Sequence, residues 1–79
     1  MAANQQALFM KLYDQYAPSI YGVLLRSLNN DAEAGRLLEL TFLKAWHQIE
    51  KMPSQHKISW LLGLAHSVGF RLNLPFIIR

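Results

Sequence analysis

The 79 residues include no cysteine. Disulfides and thiolate metal sites are therefore excluded, and the chain suits a reducing compartment. Only four glycines and three prolines interrupt it, so long helices are open to it. No apolar run approaches the roughly 20 residues that a membrane-spanning helix needs. The opening "MAANQQ" does not follow the basic-then-apolar order of a signal peptide, and a cytoplasmic chain is expected. There is no charge run, no internal repeat and no low-complexity tract. The net charge of +3 is compatible with nucleic acid or an acidic partner without pointing to either. About half of the residues are apolar, at 52%, which places the chain among packed domains rather than disordered ones. The length suffices for one small domain, residues 1–79, whose modest core would gain from a partner or an oligomer.

Apolar spacing is helical throughout, with no sustained alternation of period two. A first segment from about Asn4 to Tyr16 carries Leu8, Leu12 and Tyr16 in one stripe, widened by Phe9 and Tyr13. Pro18 then breaks the pattern, since proline suits the first turn of a new helix. The second segment, from Pro18, carries Ile20, Leu24 and Leu28, and "LNND" ends it. The third opens at Asn30, with Glu33 three residues later in a capping-box arrangement. Leu38, Phe42, Trp46 and Ile49 follow as its core stripe, with Leu37, Thr41 and Ala45 beside them. Pro53 stops a helix and Ser54 is placed to cap the next. The fourth segment carries Ile58, Leu61, Leu62, Ala65, Val68 and Leu72 up to Pro75, leaving an apolar tail, "FIIR". The expected fold is all-α, a compact bundle of about four helices, each burying one stripe.

The stretch "LYDQYAPSIYGVLLRSLNNDAEAGRLLELTFLKAWHQI" resembles region 2 of bacterial extracytoplasmic-function (ECF) sigma factors, and "WLLGLAHSV" resembles the start of that region's last helix. The resemblance covers roughly residues 8–74. Its specificity lies in the order: an LYD-x-YAP opening, an ND-x-E turn, TFLKAW, then WL. It implies a sigma region 2-like helical domain for transcription initiation. Such a domain binds the clamp helices of the RNA polymerase β′ subunit and captures the promoter's minus-ten element. The second sigma domain, which reads the minus-thirty-five element, is absent from these residues.

The departures fall on positions that the family uses for contact. Its third helix usually reads D-A-E-x-E-D-L-x-Q-E-x-F, where this chain has "DAEAGRLLELTF". Gly35 and Arg36 stand for two acids, Glu39 for glutamine and Leu40 for glutamate. The resemblance implies polymerase contact through Arg36, Leu37, Glu39 and Leu40. A reversed charge at Arg36 and an apolar group at Leu40 are expected to weaken that contact. The last helix usually reads W-L-x-x-I-A-R-N-x-x-x-D-x-x-R, where this chain has "WLLGLAHSVGFRLNL". The connection between Trp46 and Trp60 is also a few residues short, in a loop that helps the family capture a flipped base. Lys51, Lys57, Trp60, His66 and Arg71 are the candidate DNA contacts. The tail is apolar where the family is strongly basic, whereas phosphates demand lysine and arginine.

Each candidate also has a plainer reading. Trp46 lies on the apolar stripe of its helix and is expected in the core, and Trp60 more often core than stacking platform. Tyr13, Tyr16 and Tyr21 read as core edge. His47, His56 and His66 lack the spacing of metal ligands and read as surface residues. Lys44, Lys51, Lys57 and Arg71 also fit an ordinary solvated face. Asp31 and Glu33 suit a helix N-terminus, leaving Glu39 the better contact residue. Leu40, Phe76, Ile77 and Ile78 are the apolar residues hardest to bury, and such a patch on a small domain marks an interface. No nucleophile–base pair, phosphate loop or ligand cluster points to an enzyme, a metal or a cofactor. Beside the transcription-factor reading stand two others. One is an interaction module that holds an anti-sigma factor or self-associates through the apolar tail. The other is an inactive sigma remnant.

Overall fold

The computed structural model describes residues 2–69, with side chains from Gln5 onward. Three α-helices and one short 3-10 turn make up the described chain: α1 (Ala2–Leu28), α2 (Asp31–His47), the 3-10 turn (Ile49–Lys51) and α3 (Lys57–Ser67). The described fold is thus all-helical, with one helix fewer than the spacing suggested.

The difference lies at Pro18, which sits inside α1 rather than at a helix start. An interior proline removes one backbone hydrogen bond and costs about 3 kcal/mol. Two features offset that cost. Pro18 and Asp14, the residue whose carbonyl loses its partner, are both exposed, so water can satisfy the carbonyl. The stripes on either side of Pro18 are also in phase. Leu12, Tyr16, Ile20 and Leu24 recur every four residues across it, and Leu12, Ile20 and Leu24 are buried. A single straight stripe buries them together, which a turn at Pro18 would prevent.

The α1–α2 connection is two residues long. Asn29 adopts φ 54°, the left-handed conformation that asparagine tolerates, and its N–H donates to Leu25 O at 2.7 Å. Asn30 is extended, and its side-chain Oδ1 accepts from the Glu33 N–H at 2.9 Å. Half of the expected capping box is therefore present. The Glu33 carboxylate does not reach back but pairs with Arg36.

Gln48 ends α2, and the 3-10 turn follows with Ile49 buried. The start of α3 differs from expectation. His56, at φ 60°, is its N-cap, and no side chain caps it. Ser54 instead offers its carbonyl to Lys57 Nζ at 3.2 Å. The end of α3 is earlier than the apolar spacing suggested. Ser67 Oγ donates to Leu64 O at 2.7 Å, and Gly69 follows at φ 124°, a conformation that glycine alone adopts without strain. The expected continuation through Leu72 to Pro75 lies outside the described residues.

The core is one cluster. Leu12, Ala17, Ile20 and Leu24 of α1 meet Ala34, Leu37, Phe42 and Ala45 of α2, and Leu61, Leu64 and Ala65 of α3. The alanines let the helix axes approach closely. Thr41 is the one buried polar residue among those described, and its hydroxyl donates to Leu37 O at 2.6 Å. No described buried side-chain nitrogen or oxygen lacks a partner. No helix among the described residues is long and apolar enough to cross a membrane.

Candidate functional site

Helix α2 has two faces of opposite character. Ala34, Leu37, Thr41 and Ala45 face inward. Arg36, Glu39, Leu43 and Trp46 are all exposed. At 3.6 residues per turn these four fall within an arc of about 80°. Their i, i+3, i+7, i+10 spacing sets them in one row along the helix, charged at its start and apolar at its end.

Trp46 corrects the sequence reading. It is 37% exposed rather than part of the core. Its ring lies edge-on to Phe9 with centroids 5.3 Å apart, and Phe9 in turn meets Phe42 at 6.2 Å. Tyr13, expected at the core edge, is 41% exposed and packs against Phe42 at 4.8 Å. Edge-to-face geometry at these distances is favourable, so the aromatic cluster holds its shape while keeping one side open.

Two open clefts follow one another along the α1–α2 seam. The first, ≈ 320 Å³, is lined by Gln6, Phe9, Met10, Leu43 and Trp46. The second, ≈ 270 Å³, is lined by Tyr13, Asp14, Ala17, Pro18, Tyr21 and Leu38. All of these residues belong to α1 or α2, so α3 covers neither cleft. Met10 at 55% and Leu43 at 52% exposure are the most open large apolar side chains described, and both lie in the first cleft. The groove is apolar at its floor and carries Asp14 on its rim.

The residues suggested as polymerase contacts divide. Arg36 and Glu39 are exposed and belong to the outer seam. Leu37 is 2% exposed and sits in the core, where no partner reaches it. Leu40 is half-buried against the core rather than presented to solvent. Arg36 hydrogen-bonds Glu33 through Nη2 and, at 3.3 Å, through Nε. This bond holds the Glu33 carboxyl below its ordinary value and raises the Arg36 guanidinium. The positive charge that replaces an acid is thus partly neutralised within its own helix.

The candidate DNA contacts do not share one face. Lys51 is exposed on the 3-10 turn, and Lys57 opens α3. Trp60 is half-buried against the core. His66 lies nine residues after Lys57, a rotation of about 180° that puts it on the far side of α3. Arg71 lies outside the described residues. His47, His56 and His66 are exposed on separate parts of the chain, and no group of three metal-ligating side chains occurs among the described residues.

Sequence reasoning singled out neither Leu43 nor Met10. The signal for Leu43 was present in its spacing from Glu39 and Trp46. Reading it required knowing that α3 would cover the opposite side of α2.

The chain is 26% identical over 68 residues to the ECF RNA polymerase sigma factor SigK of Mycobacterium tuberculosis (strain H37Rv). It has the same identity to SigK of Mycobacterium bovis (strain AF2122/97). The match takes in 84% of this chain and 36% of each relative, so the chain spans about a third of the length of these curated proteins. This likeness supports a sigma-factor-like relationship. No family model matches the chain. No solved structure matches it.

Proposed function

We propose that this chain is a sigma region 2-like docking domain that engages the clamp helices of core RNA polymerase through the outer seam of α2. The observation that carries this reading is the row Arg36, Glu39, Leu43 and Trp46, uncovered by α3 and flanked by an open apolar cleft. A helix is the partner that such a row fits, because side chains at this spacing interdigitate with those of a second helix. The sequence resemblance implies the clamp helices as that partner, and the likeness to an RNA polymerase sigma factor supports polymerase in general. Trp46 and Leu43 supply the apolar anchor, and Glu39 and Arg36 the polar end. Arg36 weakens the contact relative to an acidic residue at that place. Promoter contact is the lesser part of the proposal, with Lys51 on the 3-10 turn and Lys57 at the start of α3 as its candidate cations.

The test is a titration of the purified chain against core bacterial RNA polymerase, with an ECF sigma region 2 as the reference. Binding is expected, weaker than the reference. Leu43→Asp should lower it at least tenfold, since buried anchors at interface centres carry most of the affinity. Arg36→Asp combined with Glu39→Gln should raise it. Leu40 should be left in place, because it packs against the core. Background binding by the chain and by both variants would refute the polymerase reading. The same seam offered to a helical anti-sigma factor would then decide for an interaction module, a reading favoured by the apolar groove.

A further inference from the structure

We propose that the groove between α1 and α2 is the docking site for this chain's own C-terminal segment, Leu74–Arg79, which covers the outer seam from within. The inference needs the groove but not the polymerase, and so goes beyond the docking reading.

Three observations converge on this occupant. The first is chemical match. The groove exposes Met10, Leu43 and Trp46 in its first cleft and Tyr13 in its second. The segment supplies Pro75, Phe76, Ile77 and Ile78 in an unbroken apolar run. The second is reach. The described chain ends at Gly69, beside Leu37: a Cβ on Gly69 would lie 4.0 Å from Leu37 Cδ2. Leu38, the next residue of α2, lines the second cleft. Half the circumference of a helix about 10–12 Å across is roughly 16–19 Å. About five extended residues cover that distance at roughly 3.4 Å each. The remaining residues, Leu74–Arg79, are then long enough to reach along the seam. The third is charge. Arg71 and Arg79 flank the apolar run, while Asp14 and Glu39 are exposed beside the groove. Among the described residues the one ion pair is Glu33–Arg36, so neither Asp14 nor Glu39 is engaged there.

Tethering makes even a weak fit effective. A short flexible link holds its end at an effective concentration in the millimolar range, so a segment of millimolar affinity occupies its site much of the time. An outside helix then has to displace it.

The absence of cysteine allows a clean test in the full chain. A nitroxide label at Arg79→Cys should broaden NMR signals according to their distance from the segment's end. The Met10 methyl and the Trp46 indole N–H are expected to lose at least half of their intensity. The amides of Ser59 and Gly63, on the exposed side of α3, should keep theirs. Adding Phe76→Asp and Ile77→Asp to the labelled chain should restore the Met10 and Trp46 signals, with the amide spectrum of the three helices reporting that the fold is unchanged. Broadening that centres on Gly69 and the end of α3, or that ignores the two aspartates, would overturn the proposal. A mixture of spin-labelled and isotope-labelled chains separates the remaining source. Equal broadening in the mixture would assign the groove to a second copy and overturn docking within the chain.

Discussion

The inner and outer faces of α2 contrast in kind. The inner face carries Ala34, Leu37, Thr41, Phe42 and Ala45, all buried against α1 and α3. The outer face carries Arg36, Glu39, Leu43 and Trp46, which are exposed. Large apolar side chains therefore occur on both faces. Leu37 and Phe42 fill the core, whereas Leu43 and Trp46 stay open to solvent, as expected of a surface that meets something else.

The sharpest way to break this contrast is to truncate one leucine on each face. Leu37→Ala should lower the unfolding free energy by about 2–5 kcal/mol, because it opens a cavity in the core. Leu43→Ala should change it by no more than about 0.5 kcal/mol, as exposed substitutions do. Denaturant unfolding of the two variants measures both values, and equal losses would mean that Leu43 also belongs to the fold. The next effect concerns α1, which supports both faces. Pro18→Ala should raise stability by about 2 kcal/mol, the helix-interior penalty of roughly 3 kcal/mol less the entropy returned to the unfolded chain. A loss on the same measurement would show that the proline shapes the second cleft, whose wall it forms. The smallest effect is electrostatic. Glu33 has a folded carboxyl pKa below its ordinary value of 4.5 because Arg36 hydrogen-bonds it. Its contribution is therefore present above that ordinary value and is lost as pH falls through the lower folded one. Glu33→Gln should flatten that part of the acid limb in pH-dependent unfolding. It should leave stability near neutrality only slightly lower, since both side chains are largely in solvent.

Much of the fold is legible in the residues. The Asn30 cap and the Leu12, Tyr16, Ile20 and Leu24 stripe of α1 follow from capping chemistry and spacing, whereas Leu8, Trp46 and Ile58, read into the stripes, are exposed. Pro18 is misleading because the proline rule is local, whereas the phase of the stripe is not. Leu8, Leu12, Tyr16, Ile20, Leu24 and Leu28 already keep a strict spacing of four, which a turn would have reset. Trp46 misleads for the opposite reason. Helix α2 is apolar over more than one stripe, and periodicity alone cannot say which stripe its neighbours will cover. That choice is made by α3, through contacts distant in sequence. The candidate contact surface is legible in part: Arg36 and Glu39 are on it, Leu37 is beneath it, and Leu43 became visible only with the helices in place. The start of α3 is the least legible junction, because His56 takes a left-handed conformation that its residue type does not announce.

The two-residue Asn29–Asn30 turn makes α1 and α2 a closed-ended clip. Pairs near the turn span short loops, whereas Phe9 and Trp46 span nearly the whole clip and carry its largest loop entropy. Among the described residues the far end is fastened by the aromatic cluster and by a long hydrogen bond from Gln5 Nε2 to Glu50 Oε2 at 3.4 Å. The first cleft therefore lies at the jaws of the clip, not at its hinge. An occupant wedged between Met10 and Leu43 would act far from the turn, on the open side of the clip.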